Sequence, residues 1–455
     1  MADVKPPSGK LPYGTPEGGW KAVHTWRTPD WVEPIPQLHV IRFLKANHQH
    51  QLIVSIMLIG LYVSRRKNYS ILRRGNATYE PLFEERGDSP RISDESYDPI
   101  RTDPFPPKYR TIFGCYRVKT PNSSRFARHV HSRILQKFPF LIEMFYWAIS
   151  FFFYRMTATL AQSYYGSRKA VWDVAQEHGL FLLETEAKFF GEGTRTGPER
   201  WVEWRVSHWF LEGAQIDDFR GIWLTILNRG YSLIHIPGTV GFIAYYFAMA
   251  PTHARFCTVR RTMTLLNMCA FIIFIFYPCA PPRLMPSEYG FVDTVNLENA
   301  ESVWMSGKFV NKLAAMPSMH FGYAFAIGCV FIADSAILNL LFGRLRNYLL
   351  RNDLDKSLDI DDVELKEIQE NRARWKSWAM FCFGVFYPSW ILLTIVGTAN
   401  HYLMDAFVAT FCALVAYLCN RALLVFLPAE DMLLWALRLE KPVPTTGRMK
   451  NIAVR

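Results

Sequence analysis

Two apolar runs, SWAMFCFGVFYPSWILLTIVG (377–397) and DAFVATFCALVAYLCNRALLVFL (405–427), flank the polar stretch TANHYLM (398–404). Each run reaches the roughly 20 residues that a helix needs to cross about 30 Å of hydrocarbon. Further runs lie upstream at 317–342, 262–280, 221 or 231 to 250, and 139–163. Six such segments predict an all-α integral membrane protein with a six-helix transmembrane bundle. Residues 52–63 are apolar but only 12 long, which leaves a re-entrant, an interfacial and a short spanning piece open.

The composition agrees, with 50% hydrophobic and 15% aromatic residues. The net charge of +11 comes from Lys and Arg in tails and in loops beside apolar runs. Topology and anionic headgroups explain such residues without nucleic acid. None of the eight cysteines has CxxC or Cys/His ligand spacing, so neither a disulfide framework nor a metal site is expected. The amino terminus lacks a signal-peptide layout, and insertion is expected to depend on an internal span.

The spans divide the chain into a polar amino-terminal tail (1–51), a short hydrophobic segment with a polar, irregular region (52–138), a transmembrane domain (139–430) and a carboxy-terminal tail (431–455). An insert at 344–376 balances eight basic with eight acidic residues and reads as a cytosolic linker or a partner-binding helix. Residues 167–220 mix charge with tryptophan, as in WVEWRVSHWF (201–210). A cap in the headgroup layer and simple packing on the bundle are both open for that segment.

Crossing parity places the loop 282–316 and the stretch around His401 on one face of the membrane. The loops on the other face carry Arg255, Arg260, Arg261 and the eight basic residues of the insert, whereas the loop 282–316 holds Arg283, Lys308 and Lys312. The positive-inside tendency therefore makes the termini cytosolic and turns the face bearing His401 to the lumen or outside; an endomembrane of ER or Golgi type, with a lumenal site, is expected. The sequons at Asn68, Asn76 and Asn122 fall on the cytosolic side and are expected to stay unmodified.

His401 and Asp405 are spaced to share one helix face. The carboxylate could hold the Nδ1 proton and leave Nε2 as a nucleophile, or the pair could merely cap the last helix. A second histidine, His320 in AAMPSMHFG (314–322), lies on the same side. Pro317 suits the first turn of a helix, and free amides near Ser318, Met319 and His320 would cradle a phosphate beside the Ser318 hydroxyl. His320 could then act as a general acid. Arg283 offers a planar cation for phosphate oxygens, with a snorkelling interfacial arginine as the alternative. His235 is an auxiliary candidate as an intramembrane histidine, with a satisfied packing histidine expected ahead of that role.

FYPCAPPRLMP (276–286), KLAAMPSMHFGYA (312–324) and VGTANHYLMDA (396–406) resemble the three motifs of the type-2 phosphatidic acid phosphatase superfamily, specifically its inositol phosphorylceramide synthase-like, inositolphosphotransferase branch. The resemblance implies a six-helix bundle, no metal and no cofactor, and a phosphohistidine intermediate. In it His401 attacks phosphorus, His320 protonates the leaving group, Asp405 orients His401, and water or an acceptor hydroxyl takes the phosphoryl group. Phospholipid and lipid-alcohol substrates follow from it. The chain departs from the family in two places: Phe276 stands where phosphatase members carry a lysine, and Ile395 where they carry an arginine. A diester bears one negative charge and needs fewer cations than a monoester dianion. Headgroup transfer, such as inositol phosphate to ceramide, is thus expected ahead of the alternatives: a lipid phosphate phosphatase or a non-catalytic scaffold or transporter. Lys308, Lys312 or Arg229 could replace the missing charges.

Overall fold

The computed structural model describes residues 49–67, 69–72, 105–112, 115–190, 197–215, 218–231, 235–293, 311–338 and 372–446. Most of both tails and of the insert, the sequon asparagines Asn68 and Asn76, and Lys308 lie outside the described residues.

The chain is predominantly helical. In order it forms α1 (Gln49–Ser64), a hairpin of β1 (Lys108–Ile112) and β2 (Tyr116–Thr120), α2 (Val130–Lys137), α3 (Leu141–Tyr165), α4 (Arg168–Phe190), α5 (Val202–Gln215) and α6 (Phe219–Arg229). Then follow α7 (His235–Met249), α8 (His253–Phe276), α9 (Met319–Ser335), α10 (Arg374–Gly397), α11 (Leu403–Leu418) and α12 (Leu427–Ala436). The antiparallel hairpin pairs Lys108 with Thr120 and Ile112 with Tyr116. It lies in a region the sequence reads as irregular. Arg110 Nε and Thr120 Oγ1, 2.8 and 2.9 Å from Asp431 Oδ2, fix it to α12.

Side chains on the outside of the bundle are apolar, including Phe152, Phe153, Ile272, Phe386 and Phe411, each more than half exposed. Water would not tolerate so large an apolar belt on a monomer, whereas lipid solvates it. These are the helices of a membrane protein. Among the described residues α8 and α10 are long and apolar enough to cross a membrane, and α11 with the chain after it is apolar enough to make a third if the pair, bent by 60°, is one span. The other described helices are shorter or more polar, so a count of six spans does not follow from their length and composition alone. α7 has 15 residues and α9 has 17, or about 23 and 26 Å at 1.5 Å per residue. α9 stops because Ala336 takes a left-handed φ of 62°. α11 stops at Leu418, where a 3₁₀ segment turns the chain into α12. The helix α1 packs against α7 at Gly60, where an added Cβ would lie 3.0 Å from Ala244 Cβ.

Polar residues on the spans pair between helices. Arg260 Nη1 donates to Glu143 Oε1 at 2.7 Å, linking α8 to α3. Asp334 accepts from Arg255 Nε at 2.8 Å and from the Tyr246 hydroxyl at 3.0 Å, which joins α9, α8 and α7 at one end of the bundle. The carboxy-terminal segment is tied to that same end, with Thr446 Oγ1 donating to Phe247 O at 2.8 Å.

The opposite end holds the three quoted motifs. Cys279 N donates to Leu313 O at 2.8 Å, Arg283 N to Ala399 O at 2.9 Å, and Ser318 N to Asp405 O at 3.3 Å. Backbone hydrogen bonds thus knit together the end of α8, the start of α9 and the turn between α10 and α11. α4 and α5 close over this end, where Trp201, 1% exposed, packs on Tyr289 and Phe291.

Candidate active site

The turn after α10 is tight, and it sets His401. Ile395 O accepts from both Asn400 N at 2.9 Å and His401 N at 3.1 Å, and Ala399 bridges the turn with φ 51°. α11 begins two residues later with a capping box in which Tyr402 N donates to Asp405 Oδ2 at 3.0 Å. Asp405, fully buried, therefore lies one helical turn from His401.

His401 Nδ1 is 2.8 Å from Ala315 O and 3.2 Å from Asp405 Oδ2. Both neighbours are acceptors, so Nδ1 carries the proton and Nε2 keeps its lone pair. Nε2 is buried and has no hydrogen-bond partner among the described residues. A buried unpaired nitrogen costs about 1–3 kcal/mol, and at a site it is a reactive atom held ready.

His320 sits in the first turn of α9. Its ring lies 5.6 Å from that of His401 and stacks on Tyr231 at 4.2 Å. Tyr231 also meets His401 edge-on at 6.4 Å, so one buried phenol ring braces both imidazoles. The helix starts later than Pro317 implies: Ser318 is the cap, with its hydroxyl accepting from Phe321 N at 3.3 Å, and Pro317 precedes the cap. The Ser318 amide is committed to Asp405 O, so the expected cradle falls to the first-turn amides that follow it, beginning at Met319.

Arg283 is 8% exposed, and its Nη1 donates to Asp293 Oδ1 and Oδ2 at 3.0 and 2.9 Å. Its Nε is buried without a partner. The Arg283 backbone is tied to the turn that carries His401 through Ala399 O, at 2.9 Å. Lys312 is exposed on the loop before α9. Arg229 ends α6, two residues before Tyr231. The backbone of His235 begins α7, while its side chain lies outside the described residues.

The two departures from the family motifs have distinct surroundings. Phe276 is 54% exposed and packs on Tyr164, 5.3 Å between rings, on the outside of the bundle. Ile395 is fully buried among Phe321, Ala406 and their neighbours. Neither position carries charge toward the histidines.

Residues 201–343 match the sequence model of the PAP2 superfamily. The similarity covers α5 to α9, with Arg283 and His320, and ends before His401 and Asp405. Those last two residues join the PAP2-like stretch in space, through the Ala315, Ser318 and Arg283 hydrogen bonds given above. No curated protein and no solved structure matches the chain.

Sequence reasoning missed four contributors. Tyr231 was visible only as the start of a span, and Asp293 as a loop residue. Glu186 and Glu203 supply two further carboxylates at the first turn of α11. Glu186 had a legible signal: it continues the buried stripe Val171, Ala175, Gly179, Leu182 of α4, where a carboxylate is out of place unless it has a task.

Proposed function

We propose that this membrane protein is a phosphotransferase acting on lipid phosphate esters through a phosphohistidine at His401. The observation that carries the reading is the orientation of one imidazole. Nδ1 is fixed by Ala315 O and Asp405, while Nε2 lies unpaired beside His320. PAP2 enzymes are phosphatases and phosphotransferases, and the match over 201–343 supports the same class of chemistry.

In the first step His401 Nε2 forms a bond to phosphorus as the bond from phosphorus to the lipid oxygen breaks. His320 gives its proton to the departing alkoxide. In the second step an acceptor hydroxyl loses its proton to His320 and displaces the histidine, which restores both imidazoles. Asp405 stabilises the positive charge that His401 acquires. Arg283 and the first-turn amide of Met319 hold the non-bridging oxygens.

Charge favours a diester donor. The motif arginine is already paired with Asp293, and the buried Ile395 stands where the family carries an arginine. Such a site is better matched to the single charge of a phosphodiester than to a monoester dianion. The donor is accordingly a phospholipid of the phosphatidylinositol type, and the acceptor a lipid alcohol such as ceramide. The short helices and the exposed apolar belt suit a multi-pass protein in a thin endomembrane, with the site facing the lumen and α4 and α5 as its cap.

Purified protein in vesicles with phosphatidylinositol and ceramide tests this. Formation of inositol phosphorylceramide and diacylglycerol is expected. Release of free inositol phosphate without a new lipid would make water the acceptor, and unchanged turnover in His401→Asn would remove the enzyme.

A further inference from the structure

The first turn of α11 presents three consecutive amides, and a carboxylate oxygen takes each. Tyr402 N donates to Asp405 Oδ2 at 3.0 Å, Leu403 N to Glu203 Oε1 at 2.8 Å, and Met404 N to Glu186 Oε1. The three carboxylates come from α11, α5 and α4 in turn. Glu186 and Glu203 are both 0% exposed. No capping motif needs two foreign glutamates where one side chain serves.

The pair is linked within itself. The second oxygens, Glu186 Oε2 and Glu203 Oε2, are both buried and receive no other donor among the described residues. The two carboxyl groups take adjacent amides and so converge on one turn, and two buried carboxylates brought together there repel unless a proton lies between them. Burial first, then Glu203, holds the Glu186 carboxyl well above the ordinary carboxylate range. The turn they cap begins at Tyr402, directly after His401. Tyr402 itself is fixed from the other side, its hydroxyl donating to Ala280 O at 2.6 Å.

We propose that Glu186 and Glu203 share one proton and act together as positioning residues for His401, clamping the first turn of α11 from α4 and α5. The role in turnover rests on the reading of His401 as nucleophile; the clamp itself does not. A single shared negative charge suits a helix amino terminus, whereas two beside Asp405 would repel. It also explains why α4 and α5 lie over the site: each contributes one half of the clamp, so the cap and the nucleophile form one mechanical unit.

Hydrogen exchange by mass spectrometry on full-length protein in nanodiscs tests the clamp without any substrate. Glu186→Ala and Glu203→Ala are expected to raise exchange in peptides spanning 401–405 at least tenfold and, in turnover assays, to lower kcat with little change in KM. Glu186→Gln should rescue both, since its amide oxygen still accepts from Met404 N and its NH2 still donates to Glu203. Unchanged exchange in the alanine variants would overturn the clamp, as would a glutamine variant as defective as alanine. Should the alanine variants fail to fold, infrared spectra decide the proton. Wild type at neutral pH should show a protonated-carboxyl band that Glu186→Gln removes and Asp405→Asn retains; absence of that band overturns the sharing. If wild type turns over no lipid, the functional reading fails while exchange and infrared still decide the pair.

Discussion

Asp405 holds His401 across one turn, 3.2 Å from carboxylate to Nδ1, yet the shorter contact to that nitrogen is the 2.8 Å one from Ala315 O. The imidazole is thus oriented by the loop before α9 as well as by its own helix. The motif carrying His320 builds part of the setting of His401, and damage to either should reach both.

Removal of the nucleophile should abolish turnover, so His401→Asn is expected at background. His320→Asn removes the general acid and should lower kcat by about 10²–10⁴-fold. Asp405→Asn keeps an oxygen for Tyr402 N but gives up the charge that steadies the imidazolium, and kcat should fall about a hundredfold or more. Initial rates on vesicle-bound substrate measure all three.

Gly179 on α4 bears on the same geometry from a distance. An added Cβ would lie 2.4 Å from the Tyr402 hydroxyl and 3.0 Å from Ala280 O, the two ends of a hydrogen bond. Gly179→Ala must displace Tyr402 next to His401. A kcat lower by about 10²-fold with a near-normal KM is expected, whereas Tyr402→Phe should cost about 1 kcal/mol of stability.

The crossing of α9 and α10 is set by Gly328 and Gly384, where a Cβ on Gly328 would meet Gly384 O at 2.4 Å. Small residues let membrane helices approach this closely. Gly328→Ala should destabilise the protein by about 1–3 kcal/mol, read as a lower melting temperature in detergent. Gly238→Ala on α7, whose Cβ would have only the Tyr387 hydroxyl at 3.8 Å, should melt like wild type.

Glu143 and Arg260 form a buried pair across α3 and α8, with side-chain exposures of 4% and 25%. Glu143→Ala leaves the guanidinium unpaired and should cost about 3 kcal/mol. The double variant Glu143→Ala, Arg260→Ala should recover part of that loss in a thermal unfolding cycle.

Much of the site was legible because its chemistry lies in short contiguous motifs. His320, His401 and Asp405 each sit at a helix start that Ser318 or the capping box fixes locally. Glu186 and Glu203 were not legible as partners, because nothing in α4 or α5 alone says that both end at the amides of Leu403 and Met404. The end of α9 was not legible for a related reason. Hydropathy carries 317–342 onward without a break, while the backbone ends α9 at Ala336 through a conformation that apolar composition does not encode. Phe276 illustrates the converse: read as a missing site charge, it faces outward beside Tyr164.

The central claim is a covalent bond from phosphorus to His401 Nε2, and alkaline quenching followed by peptide mass spectrometry detects it directly. Protein mixed with phosphatidylinositol in the absence of an acceptor should carry an inositol phosphate adduct on the peptide containing His401, and ceramide should discharge it. No adduct, or an adduct on another residue with turnover intact in His401→Asn, would contradict the assignment.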